Sequence, residues 1–235
     1  MDSNTNVVAA VVVALGLVGS GAFIGHGMQK LNAGNRYVTV KGLSEKEVGA
    51  DLVIWPITYV EAGNQLPEIY ARIERNNKLI QDMLLASGLK PADVALAPPK
   101  INDNEANNYG NQASRNRYSA TVVATVRSGD MKAVQQAMRN SGELVKQGVA
   151  VSLNYDAKPE YLFTQLNTIK PALIAEATQN ARKAAEQFAS DSNSHVGSIR
   201  SASQGQIIIA DRDSGTPEIK VVRVVSTVEY SLVGD

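Results

Sequence analysis

Ile169–Ala189 reads IKPALIAEATQNARKAAEQFA, and its periodicity decides the fold. Ile169, Leu173, Ala177, Ala181, Ala184, Ala185 and Phe188 recur at helical steps, which makes one face of an α-helix. Most of that face is alanine, so the helix can lie close to a sheet. Pro171 fits its first turn, where a missing N–H costs nothing.

Strand patterns flank this helix. Val196–Ala210 and Ile219–Leu232 follow it, and the second begins as a near-continuous apolar run, as a central strand does. Val149–Tyr155 and Tyr161–Thr164 precede it. A second helix is predicted from Met131 to Lys146, with Val134, Met138 and Val145 on its apolar face. Ser128-Gly129-Asp130 opens it and Gly148 closes it.

Further upstream, Tyr118–Val126 is a strand, and Val94–Ile101 is another, broken late by Pro98-Pro99. These two can pair as a hairpin across Asn102–Arg117, a polar stretch with six asparagines. A third helix is predicted over Pro67–Ser87, with Leu66, Ile69, Ile73, Ile80 and Leu84 on one face and Gly88 as its C-cap. Tyr37–Gly42 and Glu47–Ala62 are the first strands. Pro56 has no N–H for a ladder, which predicts an edge or a bulge there. Strand pairs alternating with helices make this an α+β fold of antiparallel sheets backed by helices.

The chain starts differently. Thr5–Gln29 carries no charged side chain, and Val7–Ile24 reads VVAAVVVALGLVGSGAFI. Such a run reaches the lower edge of what a helix needs to cross the hydrocarbon core. We read residues 1–30 as an uncleaved signal anchor, a transmembrane helix that holds the chain to the membrane through residues 7–24, ahead of an α+β body over 36–235. A cleaved signal peptide, with Ser20 and Ala22 before the cut, is the second reading. A buried helix of the body is the third. Gly16, Ser20, Gly21 and Gly25 are spaced so that two such helices could associate closely. Lys30, Arg36 and Lys41 follow the segment, and by the positive-inside rule alone they would keep the body in the cytoplasm.

Composition excludes several functions. The 235 residues balance 23 basic against 23 acidic side chains, which removes the electrostatic case for a nucleic-acid partner. Aromatics at 5% argue against a base-stacking surface. There is no cysteine, and the two histidines, His26 and His195, have no second ligand at metal spacing. No P-loop, GxSxG, GxGxxG or HExxH motif occurs. Ser203-Gln204-Gly205 lacks the context of a nucleophile turn, and Asn102–Glu105 does not meet the calcium-loop pattern. Arg115 and Arg117 beside Tyr118 are read as a solvated strand end. No catalytic residue, cofactor or metal is therefore expected.

Four stretches together resemble a known family: RYVTVKGLSEKEVGADLVIWPI at 36–57, YLFTQLNTIKPALIAEATQNARKAAEQFASDS at 161–192, HVGSIRSASQGQI at 195–207 and KVVRVVSTVEYSLVG at 220–234. In this order and spacing they are similar to the SIMPL domain family, long labelled a domain of unknown function. The resemblance implies a βαβ-rich α+β fold and large, sometimes channel-like homo-oligomers. It implies an envelope location and a loose link to oxidative-stress defence, and supplies no catalytic residues. It also places the body on the periplasmic side of the bacterial inner membrane, against the flanking charges. The expected function is thus a non-enzymatic, membrane-anchored envelope protein whose partner is itself. The alternative is a periplasmic module that binds a small apolar ligand.

Overall fold

A computed structural model describes residue 14 and residues 16–21, 36–106, 115–152 and 158–234. The described chain is α+β, with antiparallel sheets and helices, in two compact units. The central unit comprises Glu47–Leu166 and Ile209–Val221, and the terminal unit Met1–Lys46, Asn167–Ile208 and Val222–Asp235.

In the central unit, β2 (Leu52–Gly63) pairs along its whole length with β5 (Tyr118–Ser128). The far side of β5 carries two short strands, β3 (Val94–Leu96) and β4 (Lys100–Asp103). The far side of β2 carries β6 (Val151–Ser152) and β7 (Glu160–Leu162). The hairpin expected across the asparagine-rich stretch is present, with Lys100 opposite Thr121 and Asp103 opposite Tyr118.

Pro56 corrects the expectation of an edge or bulge. It sits in an interior strand, opposite Thr125, with no break in the β5 register. On its other side β7 pairs with residues 52–54 and β6 with 58–59, so the ladder already lapses where Pro56 lacks its donor.

Alternate residues of β2 (Val53, Trp55, Ile57 and Tyr59) face the core, as the period of two requires. Helix α1 (Leu66–Ala86) covers them with Ile69, Ile73, Ile80 and Leu84. Its end is a Schellman motif: Leu89 N–H reaches Leu84 O at 3.2 Å and Gly88 N–H reaches Leu85 O at 3.0 Å. Gly88 lies at φ +95°, a conformation that a side chain would strain.

The helix predicted over Met131–Lys146 is instead two, α2 (Met131–Asn140) and α3 (Gly142–Lys146), divided at Ser141. The Asp130 carboxylate caps α2 through Ala133 N–H at 3.0 Å.

In the terminal unit, the strand order is β1 (Tyr37–Gly49), β10 (Ile219–Gly234), β8 (Ser194–Gln204), and β9 (Ile208–Asp211) also pairs with β10. β1, β9 and β10 each run on into the central unit. The strand expected over 196–210 is divided at Gly205 into β8 and β9. β10 is the central strand, as its apolar run predicted.

Helix α4 (Leu166–Asp191) buries Leu173, Ala177, Ala181, Ala185 and Ala189. These form a strict four-residue row, the inclined ridge of an α-helix. Phe188 corrects the predicted face, because it is exposed. Pro171 lies inside the helix rather than in its first turn. The helix starts earlier than predicted, at Leu166, and just ahead of it Asp51, from the β1–β2 turn, holds the entering chain by accepting Thr164 N–H at 2.9 Å and Gln165 N–H at 3.1 Å.

The alanine row permits a close approach. A Cβ placed on Gly42 of β1 would overlap the Ala177 carbonyl oxygen and the Ala181 nitrogen of α4, so only glycine fits. Ser44 Oγ donates to Glu176 at 2.7 Å and Asn180 Nδ2 to Leu43 O at 2.9 Å, pinning the same contact.

Candidate functional site

The two sheet edges of the terminal unit differ in chemistry. Along β1 lie Lys41, Glu45 and Lys46, charges that discourage pairing with another chain. Along β8, Ser194–Gln204 reads SHVGSIRSASQ, with no proline and Arg200 as its one permanent charge. Arg200 turns back onto its own sheet, 3.5 Å from Glu229 and 4.9 Å from the ring centre of Tyr37. Most of β8 is exposed, Ile199 at 52%.

One side of β8 pairs with β10, Ser203 opposite Thr227 and Ser201 opposite Glu229. Gly205 N–H bonds Val225 O at 2.8 Å. By the alternation of an antiparallel ladder, Ser203 and Ser201 also turn their N–H groups to β10. Ala202 and Gln204 then direct theirs to the open side. Register shifts near Tyr230 and Leu232 bend the other end of the strand.

The central unit contains a buried polar network that sequence reading missed. Glu61 of β2 accepts Arg72 Nε at 2.8 Å and Asn76 Nδ2 at 2.7 Å. The Tyr59 hydroxyl lies 2.8 Å from Asn77 Oδ1 and 3.2 Å from Ile73 O, and shares its one proton between them. Burial, reinforced by the nearby Glu61 charge, pushes the Tyr59 hydroxyl up to about 12. A phenol so raised is neutral at ordinary pH. It acts as a hydrogen-bond clamp between β2 and α1, not as a nucleophile or base. Its sequence signal is Asn76, a polar residue within the apolar period of α1.

A second missed feature is a cavity of about 770 Å³ in the same unit, against residues Lys158–Phe163 and the β9–β10 hairpin. Lys220 is buried beside it, and its Nζ is paired with Asp211 of β9. Parity was the available signal: Lys220 occupies the same alternating set as Val222, Val224 and Val228, all buried.

Of the residues singled out earlier, Asp103 and Glu105 are brought together with Arg117. Gly16, Ser20 and Gly21 lie in a helical stretch where a Cβ on either glycine would meet nothing within 4 Å, and Gly25 and His26 lie outside the described residues. Ser20 Oγ donates to Leu17 O at 3.0 Å. No helix among the described residues is long and apolar enough to cross a membrane, and most of segment 7–24 lies outside them.

Gly205, after Ser203-Gln204, ends β8. His195 is its second residue, opposite Val233. Asp103 accepts Glu105 N–H at 3.0 Å and bonds Arg117 at 3.3 Å. Partial desolvation would raise this carboxyl, but Arg117 and the Ala106 and Glu105 amides outweigh it and hold it below the usual range. Arg117 also stacks 5.0 Å from the centre of the Tyr118 ring. Among the described residues no three His, Cys, Asp or Glu side chains gather in a metal-binding group.

Comparison with known proteins agrees with the resemblance read from the four stretches. A family model, described as SIMPL, a protein of unknown function (DUF541), matches residues 38–229. No curated protein matches the chain.

Proposed function

This chain belongs to the SIMPL family, and on that premise we propose that it is a non-enzymatic, membrane-tethered envelope protein that assembles with copies of itself. The observation that carries this reading is the β8 edge. An exposed strand without proline and with one permanent charge presents unpaired backbone groups to a second chain. The apolar segment 7–24 supports the tether, with the body on the periplasmic side of the bacterial inner membrane. Copies held in one membrane meet at a raised effective concentration, which adds to an edge contact that holds in solution. Gly16, Ser20, Gly21 and Gly25 add a second contact between tethers. Envelope stress defence is the cellular role that fits such a protein.

Ala202→Pro tests the edge. Proline there removes an N–H that points away from β10, so the fold is kept while the open side is blocked. Mass measurement of the full chain in mild detergent should show an oligomer for wild type and a smaller species for the variant. A wild-type monomer at micromolar concentration overturns the proposal. Protease treatment of intact spheroplasts checks the location; a fully protected body refutes the periplasmic placement.

A further inference from the structure

The cavity of the central unit has the volume of a small-molecule site. Pro159, Leu162, Phe163, Ile209 and Pro217 give it an apolar wall, and Tyr161 adds an aromatic one. Four charged side chains also line it: Lys158, Glu160, Asp211 and Lys220. They sum to zero, but they are not equivalent. Lys158 and Glu160 are exposed, and the Asp211 side chain is 51% exposed, whereas that of Lys220 is 9% exposed.

Water and salt screen the outer three, so the buried ammonium dominates the field inside. An ammonium has three donors. Among the described residues, that of Lys220 pairs with Asp211 alone. A buried cation with donor capacity left over is costly unless acceptors reach it, and the cavity is where an acceptor can come from.

We propose that this cleft binds a small organic acid, its carboxylate on Lys220 and its apolar or aromatic body against Pro159, Phe163, Ile209 and Pro217. The buried positive charge selects an anionic head over a neutral one. The size and apolar wall select a body of a few rings or a short chain. Asp211 competes with the ligand for the same ammonium, so it sets an upper limit on affinity. The cleft is lined by central-unit residues, and binding there does not require assembly along β8.

Fluorine NMR of the full chain in mild detergent tests it, with detergent alone as the blank. The probes are para-fluorophenylbutyrate and the corresponding uncharged amide. The acid should bind about tenfold more tightly than the amide, the effect of a hydrogen bond to a charged group. Lys220→Gln should make the two probes equivalent. Asp211→Asn removes the competing charge but keeps an amide oxygen that can accept from Lys220, so the buried ammonium retains a partner. It should tighten the acid severalfold and leave the amide unchanged, which keeps the test decisive should the lysine variant not fold. Equal binding of both probes to wild type, no binding of either, or an acid affinity unmoved by Asp211→Asn each overturns the proposal.

Discussion

The two units close a helix over a sheet in opposite ways. In the central unit the gap is filled by volume: Ile69, Ile73, Ile80 and Leu84 of α1 stand on Val53, Trp55, Ile57 and Tyr59 of β2. In the terminal unit the gap hardly exists. Ala177 and Ala181 lie so near β1 that Gly42 cannot carry a Cβ, and the packed cluster there is Val40, Ala181, Ala185, Val228 and Tyr230. Stability of the first kind scales with apolar area, at roughly 25 cal/mol for each Å² removed from water. The second kind buries less area per residue and depends on exact spacing. A sheet so thinly backed therefore tolerates less change at its contact with the helix than the central unit does.

That contrast predicts different weak points. Ile80 is fully buried, and Ile80→Ala should destabilise the central unit by about 4 kcal/mol through lost burial and a residual cavity. Urea unfolding followed by hydrogen exchange would show the loss in the amides of β2, β5 and α1. Gly42→Ala adds one methyl and should still cost about 3 kcal/mol, because the atoms it meets are backbone and cannot rotate away. Its loss should show in β1, β8 and α4. Equal loss of protection in both units from either variant would break the comparison. A near-neutral Gly42→Ala would remove its basis.

The same contrast explains what could be read in advance. Helix α1 was legible because large apolar residues at three- and four-residue steps leave little ambiguity, and Gly88 punctuates its end. In α4 alanine marks the buried row, but Ala172, Ala175 and Ala184 lie off it, so composition alone could not separate the faces. Phe188 was drawn to the wrong side for that reason. The start of α4 was hidden because the residue that holds the chain entering it, Asp51, is more than a hundred residues away in the chain. Pro56 was misread because a lapse between two short partner strands has no local signature. Of the candidate sites, the β8 edge was within reach, since polar small residues replace the usual charges. The Lys220 cleft was not. A lysine in strand parity signals burial, but the chain segment that provides the other wall is known only from the fold.

The Tyr59 clamp gives the smallest and sharpest test, because it depends on pH. At neutral pH, Tyr59→Phe should cost about 1–2 kcal/mol, the value of a buried hydrogen bond whose acceptors are left unmet. The folded state holds the phenol protonated, with its titration raised from 10.0 to about 12. Its contribution is therefore complete below pH 10 and falls as pH rises toward 12, by about 2–3 kcal/mol in all. The phenylalanine variant has no proton to lose. The stability gap between wild type and variant should hold constant from pH 7 to 9, close above pH 10, and vanish or reverse near pH 12. Tyr161, also raised by burial and by Glu218, titrates in both proteins and cancels in the difference. A gap that stays constant to pH 12 would mean that the hydroxyl titrates in the folded chain as it does in the unfolded one, and that neither burial nor Glu61 acts on it.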